Sequence, residues 1–195
     1  MRDAALKAAA LMRAVKFAAA VALAALSAAC AQLQTAVPEK VVFELSARLA
    51  ARYGAESLSG NLAWRHAERN DEMLITTPLG QGVARIVREG DTVILTTAEP
   101  KEYRASDAES VTEQVLGFRL PLAGLADWVR AGPSANASPS GDASFKADRS
   151  PDGRLQKLEQ SGWTIEYQAY DGERPTRLRL LYPGIELRLA ISAWK

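Results

Sequence analysis

Residues 43–52 read FELSARLAAR, and the fold turns on how that stretch is read. Apolar side chains fall at every second position: Phe43, Leu45, Ala47, Leu49 and Ala51. Glu44, Ser46, Arg48 and Arg52 fall between them. A period of two marks a β-strand with one buried face and one wet face.

The same period recurs along the chain. Leu62, Trp64 and His66 alternate with Asn61, Ala63 and Arg65. Met73 and Ile75 lead into a turn, and Val83, Arg85 and Val87 leave it. Val93 and Leu95 follow the turn at Glu89-Gly90-Asp91. Later, Trp163, Ile165 and Tyr167, then Leu178 and Leu180, then Ile185, Leu187, Leu189 and Ile191 repeat the pattern. Glycine-bearing turns at Ser161-Gly162, Asp171-Gly172 and Pro183-Gly184 separate these runs. About eleven strands are expected.

The pattern breaks once. Ser106-Asp107-Ala108-Glu109 reads as a capping box. Val111, Val115 and Leu116 continue a helix that Gly117 stops. Pro121 suits the start of a second helix through Leu122, Leu125, Trp128 and Val129, ended by Gly132 and Pro133. Residues 133–142 read as a mobile loop. The expected fold is mainly β with a helical insertion. A curved antiparallel sheet forms an open half-barrel, with a helical lid over about residues 106–131. Such a shape encloses either a packed core or a hydrophobic cavity, and the alternation alone leaves both open.

The N-terminal thirty residues differ from the rest. Met12-Arg13-Ala14-Val15-Lys16 is a short basic segment, followed by an alanine-rich apolar run over residues 17–26 and the small residues Ser27-Ala28-Ala29. This is the pattern of a secretory signal peptide, with either Met1 or Met12 as the initiator. Cys30 is the only cysteine, so no disulfide forms within the chain. Its place after a small-residue cleavage site resembles a bacterial lipobox, although Ser27 stands where leucine is commonest. The expected organisation is a signal peptide over 1–29, a lipidated tether over 30–40 and one domain over 41–195. Several acyl chains on Cys30 would hold the protein on a bilayer, since one alone binds marginally. No aspartate follows the cysteine, which favours the outer membrane.

Little in the chain suggests chemistry. Its formal net charge is +1, and removing residues 1–29 takes away four basic residues and one acidic one, leaving a domain near −2. That balance gives no hint of nucleic acid. His66 is the only histidine; it sits in a strand pattern and reads as a strand residue near the sheet end. No clustered His/Cys set suggests a metal, and Gly80-Gln81-Gly82 lacks the rest of a dinucleotide fingerprint. Neither catalysis nor a cofactor is expected. One residue calls for a reason: in Thr77-Pro78-Leu79-Gly80, a leucine sits at a turn tip where little can cover it.

These residues in order resemble the outer-membrane lipoprotein receptor LolB family. The landmarks are Phe43-Glu44-Leu45-Ser46-Ala47-Arg48, Ser59-Gly60-Asn61-Leu62-Ala63-Trp64, Thr77-Pro78-Leu79-Gly80, Leu120-Pro121-Leu122 with Leu125 and Trp128-Val129, Gln160-Ser161-Gly162-Trp163, and Ile191-Ser192-Ala193-Trp194. The resemblance runs from about residue 41 to the end. Ala47, where the family often has glycine, and a polar insertion around 134–141 depart from it. The resemblance implies an open barrel with a lid and a hydrophobic cavity. It implies acceptance of acylated lipoprotein cargo from the periplasmic carrier LolA, and delivery to outer-membrane lipid by a monomer anchored through Cys30 on the periplasmic face. Pro78, Leu79 and Gly80 take the place of the family's protruding delivery loop. From alternation and the family shape, the expected cavity lining is Phe43, Leu45, Leu62, Trp64, Ile75, Leu95, Trp128, Trp163, Ile165, Leu178, Leu187 and Leu189. The competing reading is a structural or envelope-assembly lipoprotein with a filled core, which binds a protein partner.

Overall fold

Alternation becomes a sheet because each strand has one face that must leave water. The computed structural model describes residues 39–116, 119–120, 122–135 and 144–195. The expected signal peptide, Cys30 and most of the tether lie outside them, as do Gly117, Pro121 and most of the 133–142 loop.

The strands are β1 (Val41–Tyr53), β2 (Glu56–Ala67), β3 (Asn70–Thr76), β4 (Gly82–Glu89), β5 (Thr92–Thr97) and β6 (Glu102–Ala105), then β7 (Phe145–Arg149), β8 (Leu155–Gln160), β9 (Trp163–Asp171), β10 (Arg174–Tyr182) and β11 (Ile185–Trp194). Two helices, α1 (Ala108–Leu116) and α2 (Leu122–Trp128), stand between β6 and β7. The eleven strands form one antiparallel sheet in the order β6-β5-β4-β3-β2-β1-β11-β10-β9-β8-β7. Two meanders therefore meet where β11 pairs with β1, with Glu44 and Lys195 exchanging backbone hydrogen bonds of 3.1 and 2.8 Å. The sheet does not close. β6 and β7 are its edges, and the helical segment is the part of the chain that passes from one edge to the other.

One face of the sheet is buried in a single apolar cluster shared by both meanders. The helical segment contributes Val111, Leu122, Leu125, Trp128 and Val129 to it, together with Leu120 from the connection between the helices. The insertion thus covers the apolar face, as a lid would.

Three local expectations need correction. The series Val83, Arg85, Val87 does not define the inner face of β4. Ala84 and Ile86 are buried there, and Val83 and Val87 are half-buried. Residues directly opposed in an antiparallel pair share a face, and Ile75 opposes Ala84 while Met73 opposes Ile86. A register shift then sets Thr76 against Gly82 and moves the phase at the turn. The cap of α1 is also displaced by one residue. The Asp107 carboxylate accepts the Ser110 N–H at 2.6 Å, so Asp107 rather than Ser106 is the N-cap. At the end of α2, Ala131 adopts the left-handed conformation (φ 61°), where the sequence pointed to Gly132. Its N–H donates to the Trp128 carbonyl, and that of Gly132 donates to the Asp127 carbonyl.

Candidate functional site

The turn between β3 and β4 is built from its hydrogen bonds. The Thr77 N–H donates to the Gln81 carbonyl at 2.7 Å, the Gly80 N–H to the Thr77 carbonyl at 2.9 Å, and the Gln81 N–H to Thr77 Oγ1 at 3.1 Å. The Asn61 amide of β2 donates to the Thr77 carbonyl at 3.2 Å and ties the turn to the sheet. Gly80 takes φ +87°, which a side chain would strain. Pro78 fixes the preceding backbone. On this ordered frame Leu79 is 91% exposed, while the other exposed large apolar residues keep at least half of their surface covered.

The twelve residues expected to line an interior are all buried on the inner face or under the lid. Phe43 packs edge-on to Trp64 with ring centroids 5.0 Å apart, and Trp128 lies 6.1 Å from Trp163 across the lid–sheet interface. Met73, Ile86, Leu158 and Leu180 join them. Ile86 was hidden from sequence reading by the phase shift in β4. Leu158 and Leu180 were legible as strand residues, though not as part of this group. Ile86, Leu95, Leu158, Ile165 and Leu178 carry no accessible surface. The interior formed by these described residues is apolar.

A small set of polar contacts holds the lid. Gln160 Oε1 on β8 accepts the Trp128 indole N–H at 2.9 Å and the Ser134 backbone N–H at 2.9 Å. Its Nε2 donates to the Ser134 carbonyl at 2.6 Å. The Tyr167 hydroxyl on β9 donates to the Trp128 carbonyl at 2.8 Å. Burial pushes the Tyr167 phenol far above its ordinary value, so this donor keeps its proton. Gln160 and Ser134 are almost wholly buried, and leaving such groups unpaired is costly. No sequence pattern announces this clasp, because its members lie 26 to 39 residues apart.

His66 lies near the sheet end as expected, but it belongs to a buried charge cluster that the sequence did not reveal. The Asp71 carboxylate on β3 accepts Trp64 Nε1 at 2.8 Å and pairs with His66 Nδ1 at 2.7 Å. Arg88 on β4 donates through Nε to the other carboxylate oxygen at 2.6 Å. Burial alone would raise the Asp71 pKa, but the hydrogen bonds from His66 and Trp64 and the Arg88 charge outweigh it and hold it below the ordinary value. The partners span β2, β3 and β4, which points to a structural role at the base of the hairpin that carries Leu79. Among the described residues, no group of three or more His, Cys, Asp or Glu side chains is placed to hold a metal ion. No helix among them is long and apolar enough to cross a membrane.

Comparison with known proteins gives these features a family. The family described as "Outer membrane lipoprotein LolB" matches residues 42–194. An outer-membrane lipoprotein LolB of Thiobacillus denitrificans is 39% identical over 160 residues, covering 82% of this chain and 83% of the relative. Those of Nitrosomonas europaea and Azoarcus sp. are 36% and 32% identical, covering 78% and 88% of this chain and 72% and 90% of their own. Among solved structures, a DUF1329 family protein from Desulfovibrio piger shares the fold with a TM-score of 0.51 at 7% identity, over 82% of this chain and 86% of that one. The chain belongs to the LolB family of outer-membrane lipoproteins.

Proposed function

We propose that this LolB-family chain accepts acylated lipoproteins from the periplasmic carrier LolA, shelters their acyl chains between sheet and lid, and delivers them into the outer membrane. Residues 1–29 are its signal peptide, and Cys30 is the lipid anchor at the head of a tether reaching residue 40. The observation that carries the reading is Leu79, 91% exposed on a turn that four hydrogen bonds hold in place. An exposed leucine gains roughly 1.5–3 kcal/mol on burial. On a rigid arm that gain is spent on lipid contact rather than on ordering a floppy loop. The passage of acyl chains from one apolar interior to another, and then to the bilayer, requires no nucleotide. Phe43, Leu45, Leu62, Trp64, Ile75, Leu95, Trp128, Trp163, Ile165, Leu178, Leu187 and Leu189 are the walls that opening would offer to the cargo.

Transfer tests it. The processed chain with Cys30→Ala is mixed with carrier loaded with radiolabelled lipoprotein, without ATP. Movement of label to this chain supports the acceptor role. Retention on a competent carrier, with this chain folded, removes it.

The burial of all twelve expected lining residues suits a second reading: a lipoprotein whose core stays filled and which binds a protein partner. An apolar fluorescent dye separates the two, because a core that opens takes the dye up in the folded state and one that stays filled does not.

A further inference from the structure

At the end of the sheet where β1 finishes, the inner face stops in a row of side chains crossing five other strands. Tyr53 opposes Ile185, and Ile185 opposes Tyr182. The Tyr182 ring lies 5.1 Å from that of Trp163. Trp163 opposes Gln160, and Gln160 opposes Phe145. Five of these six residues are apolar or aromatic. Within the row Gln160 and Trp163 are buried, Tyr53 and Ile185 are half-buried, and the two remaining side chains are exposed. Phe145 is 50% exposed and Tyr182 41% exposed. A groove of about 540 Å³ is lined by Phe145, Trp163 and the Ser161-Gly162 turn, together with the polar Lys146, Glu159 and Thr164. β7 is exposed along its whole length.

We propose that this rim is a second contact surface for a lipid bilayer, acting with Leu79; the inference rests on the delivery role proposed above. Two observations select lipid as the occupant. First, β3 runs in the same direction as β1, so its turn and Leu79 project toward the same end as Tyr53 and Tyr182. Second, the row joins apolar ring faces to phenol hydroxyls, the combination that settles at the junction of acyl chains and headgroups.

The placement has a consequence for release. Gln160, the residue that holds Trp128 and Ser134, sits in the row between Phe145 and Trp163. Ser161 next to it takes φ 52° and buries a hydroxyl without a hydrogen-bond partner. Lipid pressing on Phe145 and Tyr182 bears on the strand ends that carry the clasp, so the lid loosens where the acyl chains have somewhere to go.

The test uses the processed chain with Cys30→Ala, which leaves no native cysteine. Phe145→Cys and Leu79→Cys are made separately, labelled with a polarity-sensitive fluorophore, and mixed with vesicles of phosphatidylethanolamine and phosphatidylglycerol. A blue shift at position 145 upholds the rim. A shift at 79 with none at 145 overturns it and leaves the delivery loop standing; silence at both positions removes both. A response at 145 to the loaded carrier but not to vesicles makes the rim a protein-docking surface and also overturns the proposal. As a second measurement, Phe145→Ser with Tyr182→Ser lowers vesicle partitioning by about tenfold while the melting transition holds. Unchanged partitioning overturns the proposal.

Discussion

Gly60 stands against the carbonyl of Thr76. A Cβ placed on it would lie 2.1 Å from that oxygen, and no real side chain tolerates such a distance. The contact is between backbones, so a flexible side chain cannot yield to relieve it. It marks the point where β3 leaves β2: Asn61 is the last β2 residue paired with β3, and residues 56–60 continue without it. The Leu79 turn begins directly after this close approach. Gly60→Ala is expected to destabilise the domain by about 1–3 kcal/mol and to raise amide exchange at Thr77, Gly80 and Gln81 more than elsewhere. Equal exchange across the sheet would show that Gly60 does not hold the turn.

Leu79→Glu should leave the fold intact, because the side chain touches little and surface changes usually cost less than about 0.5 kcal/mol. Uptake of labelled cargo from the carrier is expected to continue. Delivery into liposomes should fall by about tenfold or more, the equivalent of losing one buried leucine. Delivery at the wild-type rate by a folded Leu79→Glu protein would refute the role given to this turn.

Gln160→Leu keeps approximate volume and strips the clasp. The Trp128 indole and both backbone groups of Ser134 lose their Gln160 partner. Each buried group left unpaired costs about 1–3 kcal/mol. Since these contacts join lid to sheet, the cost is expected to appear as faster exchange over residues 122–134 and stronger binding of an apolar dye, with β1, β2 and β11 still protected. Loss of protection throughout would show a general core defect and no lid-specific hold.

Asp71→Asn tests the buried cluster. It leaves Arg88 with no carboxylate to pair, at a cost of about 3 kcal/mol near neutral pH. The native Asp71 pKa lies below its unfolded value of 3.8. Its stabilisation is therefore complete above about pH 4 and is lost as the pH falls through the native value. Urea titrations from about pH 5 down to about pH 2 should show the stabilities of wild type and variant converging in acid. A constant gap across that range would mean that the Asp71 charge is not what the cluster stabilises.

The sequence was legible wherever the physical rule is local. Period-two alternation reported Phe43, Leu45, Trp64, Ile165 and Leu187 as inner-face residues, and all are buried. It failed at Val83–Val87 because pairing, not composition, sets phase, and one register shift exchanged the faces. The cap of α1 moved from Ser106 to Asp107 because either side chain can accept the first N–H groups and only the chain's entry angle chooses between them.

Composition and order by themselves determined the one-faced strands, the helical insertion, the lone cysteine behind a signal-like segment and a leucine at the tip of a turn. Tertiary structure alone decided which distant residues meet. β11 returns to β1, so the two halves form one sheet. Gln160 and Tyr167 grip Trp128, and Asp71 gathers Trp64, His66 and Arg88. Apolar burial is non-directional and repeats with the local period, so it can be read along a chain. A hydrogen bond or buried ion pair needs two groups at one distance and angle, and only the folded path of the backbone supplies that.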